Sequence, residues 1–145
     1  MKLSEHFTYD EMVASATAKR LGLCNAPDAK SLDNLKRLCE DVLEPLRMKW
    51  GRPVIVNSAY RSQAVNKAVG GAKNSDHRFG AAADIRTLSN TREENEKLFK
   101  LAVRMANDGE IECRQIIDEY GYQWLHLSVN HPDNSPKLNQ ILHLK

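Results

Sequence analysis

The chain has 145 residues, 41% of them hydrophobic and 28% charged, which is the length and balance of one globular domain that buries its core without disulfide staples. Its net charge of +2, with no basic aromatic strip, excludes a broad electrostatic case for nucleic acid. Cys24, Cys39 and Cys113 share no Cys-x-x-Cys spacing and read as free or buried thiols of a reducing compartment.

The N-terminus turns polar at once. With no apolar stretch of signal-peptide or membrane-spanning length, the chain is expected to be made in the cytoplasm and to form no stable membrane association. Thr8 followed by Glu11 is a capping box for a short helix to about Ser15. Ser31 is positioned to cap a longer helix in which Leu32, Leu35, Leu38, Val42 and Leu46 recur at helical spacing. Pro45 is expected to kink or break that helix, and Gly51 to end it.

Val54 to Val56 form a β-branched run and predict a strand. Ser62 to Val69 predict a short helix closed by Gly70 and Gly71, Ala72 to Gly80 a loop, and Ala82 to Arg86 a strand. Thr91 and Glu94 form a second capping box, opening a helix that carries Leu98, Leu101, Ala102 and Met105 and stops at Asn107-Asp108-Gly109. Gln115 to Glu119 and Trp124 to Val129 predict a hairpin around Gly121, followed by a tail with Pro132, Pro136 and a short apolar segment. The sum is an α+β domain, with helices beside a small, largely antiparallel sheet.

Chemistry concentrates in Ser75-Asp76-His77-Arg78-Phe79-Gly80-Ala81-Ala82-Ala83-Asp84. Asp84 sits between Ala83 and Ile85 in a predicted strand, where an unpaired carboxylate is costly and a cation is a natural partner. In Trp124 to Val129, strand alternation gives Leu125, Leu127 and Val129 one face and Trp124, His126 and Ser128 the other. Two histidines and one carboxylate are a ligand set of catalytic zinc, with the fourth position left to water. Spacing alone leaves two readings open, because a lone histidine is commonly a hydrogen-bonded structural residue and periodicity does not bring His77, Asp84 and His126 together. His6, His131 and His143 fall outside the pattern and read as ordinary surface or tail residues.

Ser75-x-His77-x-x-Gly80-x-Ala82-x-Asp84, with Trp124-x-His126 some forty residues later, resembles the M15 zinc peptidases. That family includes D-Ala-D-Ala carboxypeptidases, D-Ala-D-Ala dipeptidases and phage L-alanyl-D-glutamate endolysins. The likeness extends over about residues 3 to 130. It takes in Ser4 to Thr8, Glu11-Met12, Ser15, Asn25, Leu43-x-Pro45-Leu46-Arg47, Ser58 to Ser62, Asn66, Gly70-Gly71-Ala72 and Gln115-Ile116-Ile117. The resemblance implies a hedgehog/DD-peptidase-like fold and a single zinc peptidase domain over residues 1–145.

It further implies that His77, Asp84 and His126 bind Zn2+ and that Arg61 contacts substrate. A guanidinium there grips a carboxylate or polarised carbonyl, and a surface salt bridge is its plain alternative. Ser75 and Asn66 either shape the site or stabilise the loop. Many relatives carry a catalytic glutamate three residues before the last ligand. Here Gln123 stands at that position and cannot act as a base. Glu119 and Asp118 are the substitutes, decided by hairpin register: Glu119 shares the His126 side if it faces Trp124, Asp118 if the pairing slips by one. Glu119 is the favoured base, a solvated turn carboxylate being the plain alternative for either.

The implied function is hydrolysis of peptide bonds in peptidoglycan stem peptides or cross-links, as a monomer and without nucleic acid. Release through a phage holin-type pore would bring the chain to the cell wall. A zinc-binding cell-wall or protein recognition domain without catalysis, and a cytoplasmic dipeptidase acting on small D-amino-acid peptides, are the rival readings.

Overall fold

Thr8 accepts a hydrogen bond from the Glu11 N–H at 3.2 Å, and the Glu11 carboxylate accepts from the Thr8 N–H at 2.8 Å. The expected capping box therefore opens helix α1 (Tyr9–Val13). The computed structural model, which describes residues 1–145, adds a hairpin ahead of it, β1 (Lys2–Ser4) and β2 (Phe7–Thr8), that buries Leu3 and Phe7. Helix α2 (Ala16–Leu21) starts on the Ser15 hydroxyl.

Helix α3 (Ala29–Leu38) corrects one expectation: its cap is Asp28, whose carboxylate accepts from the Ser31 N–H at 2.8 Å. Ser31 is inside the first turn and buried. A carboxylate suits the positive end of a helix better than a hydroxyl does, and the serine three residues on is left to pack. Pro45 acts as expected, but upstream of itself. The helix widens into a π-type turn over Cys39–Leu43 and resumes as α4 (Glu44–Trp50), with the proline in its first turn. A wider turn relieves the clash between the proline ring and the preceding turn's carbonyl. Leu35, Leu38, Val42 and Leu46 remain on one buried face throughout.

The main sheet contains β3 (Val54–Ser58), β4 (Ala82–Thr87), β5 (Gln115–Glu119), β6 (Trp124–Ser128) and β7 (Gln140–Leu144), in the order β3-β4-β6-β5-β7. Every pairing is antiparallel except β5 with β7, so the sheet is mixed. The apolar tail segment was not expected to be a strand; it pairs because Gln115 to Glu119 would otherwise be an uncovered edge. Helix α5 (Gln63–Ala68) is capped by Ser62. Helix α6 (Arg92–Asn107) is capped by Thr91 and packs on β4, β5 and β6. The second capping box is only half made, because the Glu94 carboxylate turns away to Arg52 at 3.0 Å.

Leu125 and Leu127 on β6 and Ala83 and Ile85 on β4 join Leu98, Ala102 and Met105 of α6 in one core cluster. The opposite face of β4 and β6 is thereby left for polar residues. The expected loop over residues 72–80 contains a 3-10 turn, Asp76–Phe79, closed by Gly80. That turn lies close against α3. A Cβ on Gly80 would sit 2.2 Å from the Ser31 carbonyl oxygen, at a φ of +70°. Gly22 has nearly the same φ, +66°, with open space around it. Gly22→Ala should therefore cost only the left-handed strain of about 1–2 kcal/mol. Gly80→Ala should cost about 2–4 kcal/mol, because overpacking adds to it. Urea denaturation of the two variants measures the difference, and equal losses would show that Gly80 is not crowded.

Candidate metal centre

Asp84 and His126 are direct partners across β4 and β6. Residues paired this way have their Cβ atoms about 4.5–5.5 Å apart on the same face. His77 comes from the 3-10 turn and is held by residues 59–61. Its Nδ1–H donates to the Ala59 carbonyl at 2.6 Å, and its own carbonyl accepts from the Arg61 N–H at 3.0 Å. That short segment is pinned in turn by Asn25, whose amide donates to the Tyr60 carbonyl and accepts from the Ser62 N–H.

The three side chains converge. The Asp84 Oδ1 lies 3.3 Å from His77 Nε2 and 3.1 Å from His126 Nδ1, and the three ligand atoms all fall within 4.8 Å of one another. Atoms bound to a tetrahedral zinc at about 2.0–2.1 Å are roughly 3.3 Å apart, so this spacing fits the ion. The His77 tautomer argues the same way. A carbonyl only accepts, so Nδ1 carries the hydrogen and a neutral ring turns the Nε2 lone pair toward a carboxylate oxygen. Two lone pairs facing each other need a proton or a cation between them, and a carbonyl behind the ring is the usual outer support of a metal-bound histidine.

When a proton takes that place, burial alone would still raise the Asp84 carboxyl, but the charge it gives His77 and the hydrogen bonds from both histidines hold it well below the usual carboxylate range. Burial works against a charge on His126, yet the Asp84 hydrogen bond and charge, with a smaller pull from Glu119, raise it above the ordinary value of 6.5. The metal-free cluster therefore keeps a proton that a metal must displace.

The cluster opens into a cleft of about 720 Å³ that Arg61, Ser75, Glu119 and Trp124 also line. Arg61 makes no ion pair, and its Nε is buried with no acceptor. Burial lowers its pKa from the guanidinium norm while the charges of Asp84 and Glu119 oppose that shift. Ser75 spends its hydroxyl on the His77 N–H at 3.2 Å, capping the turn. Asn66 is buried in α5 and donates to the Ala72 carbonyl, so it shapes the loop from behind and does not line the cleft.

The hairpin register puts Glu119 opposite Trp124, hence on the His126 side, and the Trp124 Nε1–H donates to Glu119 Oε2 at 2.8 Å. Asp118 faces the other way, buried and bonded to His143 of β7. Gln123 lines a separate groove with Asn57 and Arg86.

Asp76, beside His77, had no role in the sequence reading. It is buried and accepts from Arg114 Nη1 at 2.8 Å, His131 Nε2 at 2.8 Å and the Asn134 amide at 2.5 Å. Burial would raise its carboxyl, and these bonds with the Arg114 charge lower it instead. His131 is thus no tail residue but a buried one, and His6 is likewise engaged, with Glu44 at 2.6 Å. No spacing rule links positions 76, 114 and 131. The one available signal was a second acid within the motif stretch.

A family model described as Peptidase M15 matches residues 5–117. His126 lies beyond that span, so its membership of the cluster rests on the β4–β6 register. A search of curated proteins finds no match.

His126→Ala should weaken zinc affinity by more than the roughly 10–100-fold typical of losing an outer-sphere partner, as read by competition with a chromogenic chelator. The pH dependence has a definite sign. The raised His126 stabilises the metal-free fold below its unfolded pKa, a contribution lost as pH rises through the folded value, while the lowered Asp84 contributes above its own unfolded value of 3.8. Zinc needs His126 deprotonated, so the thermal-midpoint gap between zinc-loaded and chelated protein should widen from about pH 5.5 to about pH 7.5. A gap independent of pH would mean that His126 carries no proton for the metal to displace.

Proposed function

Because the chain belongs to the M15 peptidase family, we propose that it is a zinc peptidase hydrolysing peptide bonds of bacterial peptidoglycan stem peptides or cross-links. The observation that carries the reading is the convergence of His77, Asp84 and His126 at the floor of a cleft that also holds Arg61 and Glu119. Zinc bound by these three residues would supply a polarised scissile carbonyl and a water activated near neutral pH.

The remaining work falls to the chain's own groups. Glu119 is the proposed base. Its Oε2 is held by Trp124, which leaves Oε1 free to take the water's proton and then pass it to the leaving amine. The free Glu119 carboxylate in the cleft supports this more than Gln123 does, since Gln123 is an amide and belongs to another groove. Arg61 orients the substrate or stabilises negative charge developing on the carbonyl oxygen. Its buried Nε without an acceptor supports that role, because such a donor gains more from a ligand than an exposed one does. The turn capped by Ser75 gives that residue a supporting position at the cleft wall. The reading includes action as a monomer on wall material, after release through a phage holin-type pore.

Gln123 favours one rival, a zinc-binding recognition domain without catalysis. Purified sacculi and D-Ala dipeptides, scored for new amino termini, separate the two. Wild type should carry about one zinc and release termini from sacculi. Glu119→Gln keeps the Trp124 bond, so it should retain the metal and lose about 10²–10⁴-fold in kcat, whereas Asp118→Asn should not. Zinc without release from either substrate would put the recognition domain first, and release from free dipeptides alone would point to a dipeptidase.

A further inference from the structure

Helix α3 and the tail segment 130–136 enclose a second pocket, of about 690 Å³, in the size range of small-molecule sites. Lys30, Asp33 and Arg37 come from the helix, and His131, Pro132 and Pro136 from the tail. No lining residue is hydrophobic. The pocket adjoins the metal cleft, because Asn134 lines both spaces.

His131 carries an orphaned atom in this wall. Its side chain is 0% exposed, its Nε2–H donates to Asp76 Oδ1 at 2.8 Å, and its Nδ1 is buried with no partner. Asp76 lines the cleft and not the pocket, whereas His131 lines the pocket and not the cleft. The satisfied nitrogen is therefore on the cleft side of the ring and the orphan on the pocket side. A buried polar atom left without a partner is costly, and a ligand that supplies one removes the cost.

The other walls narrow the chemistry of that ligand. The Lys30 charge is answered by Asp133 at 3.7 Å, and Arg37 shares its wall with the Asp33 carboxylate, so the pocket has no uncompensated charge to attract an anion. Arg37 Nη2 donates to Asn34 Oδ1 at 2.7 Å and to the Asn130 carbonyl at 3.1 Å, which leaves its Nε and Nη1 for a ligand. An extended peptide docks along an exposed strand edge. Here the walls are a helix and a tail whose Pro132 and Pro136 have no N–H. A hydroxyl both donates and accepts, so a polyol answers a ring nitrogen, a carboxylate and a guanidinium together. The proline rings offer CH surface to a sugar ring.

We propose that this pocket is a sugar-binding subsite for a neutral glycan, whose hydroxyls pair with His131 Nδ1, Asp33 and Arg37. The shared Asn134 wall brings such a glycan next to the metal cleft. The inference rests on the peptidase reading for the identity of the ligand as wall glycan: the strand lies in the pocket while the peptide it carries enters the cleft.

The test titrates the zinc-loaded protein with the neutral trimer of N-acetylglucosamine and follows the backbone amide shifts of Asp33, Arg37, Asn130 and Asn134. These should move and saturate. His131→Gln keeps a donor for Asp76 but removes the orphaned acceptor, and it should weaken binding about tenfold. Arg37→Gln, on the exposed side of α3, should weaken it by a similar factor without touching the buried network. Zinc content and thermal midpoint check both variants. Failure of the trimer to give saturating shifts, or binding that survives both substitutions, overturns the subsite. Equal shifts from inorganic phosphate or from acetyl-Ala-Ala-amide also overturn it, in favour of an anion or a peptide site. New amino termini released from sacculi are scored separately. Trimer binding without release would count against the peptidase reading and not against the pocket, whereas release without trimer binding would do the reverse.

Discussion

A carboxylate in the middle of a sheet must be answered by positive charge or by a metal, and much of this structure is arranged around that demand at Asp84. β4 is flanked by β3 and β6, so Asp84 cannot escape to an edge. Its cross-strand neighbour is His126, and its second partner arrives from a turn that residues 59–61 hold by two hydrogen bonds. The core on the other face, with Ile85 and Leu125 fully buried, prevents the strands from sliding to relieve the charge. The fold itself thus brings the three side chains together, and a ligand set held this way lowers the ordering cost of binding a metal.

A second buried carboxylate supports the first from behind. Asp76 precedes a ligand in the chain, and its three bonds tie the turn to the start of β5 through Arg114 and to the tail through His131 and Asn134. Arg114 also reaches the Ser135 carbonyl at 2.8 Å, so His131, Asn134 and Ser135 all fasten the tail before it enters β7. The tail is thereby part of the scaffold of the site. The mixed character of the sheet follows from the same return of the chain, since a strand coming back past Asn134 meets β5 in the parallel sense.

Local chemistry was legible wherever a residue acts on its own neighbours. The caps at Thr8 and Thr91, the stop at Gly51 and the alternation along Trp124 to Val129 were all readable, because each depends on a few adjacent dihedrals and one face. Competition between neighbours was harder to read. Asp28 displaced Ser31 as a cap, and Arg52 drew Glu94 out of its box across a long stretch of chain. The strand in the tail was missed because its pattern is short and its pairing partner lies far back in sequence.

By itself, the sequence determined the helical and strand periods, the family resemblance and the three residue types suited to zinc. These are properties of composition and spacing along one segment at a time. Only the tertiary structure decided that His77, Asp84 and His126 share one space, that Glu119 and not Asp118 faces it, and that Asp76, Arg114 and His131 lock together behind it. Each of those outcomes depends on strand register or on a contact between distant segments. A shift of one residue in pairing reverses which side chain faces the cleft while leaving every local preference unchanged.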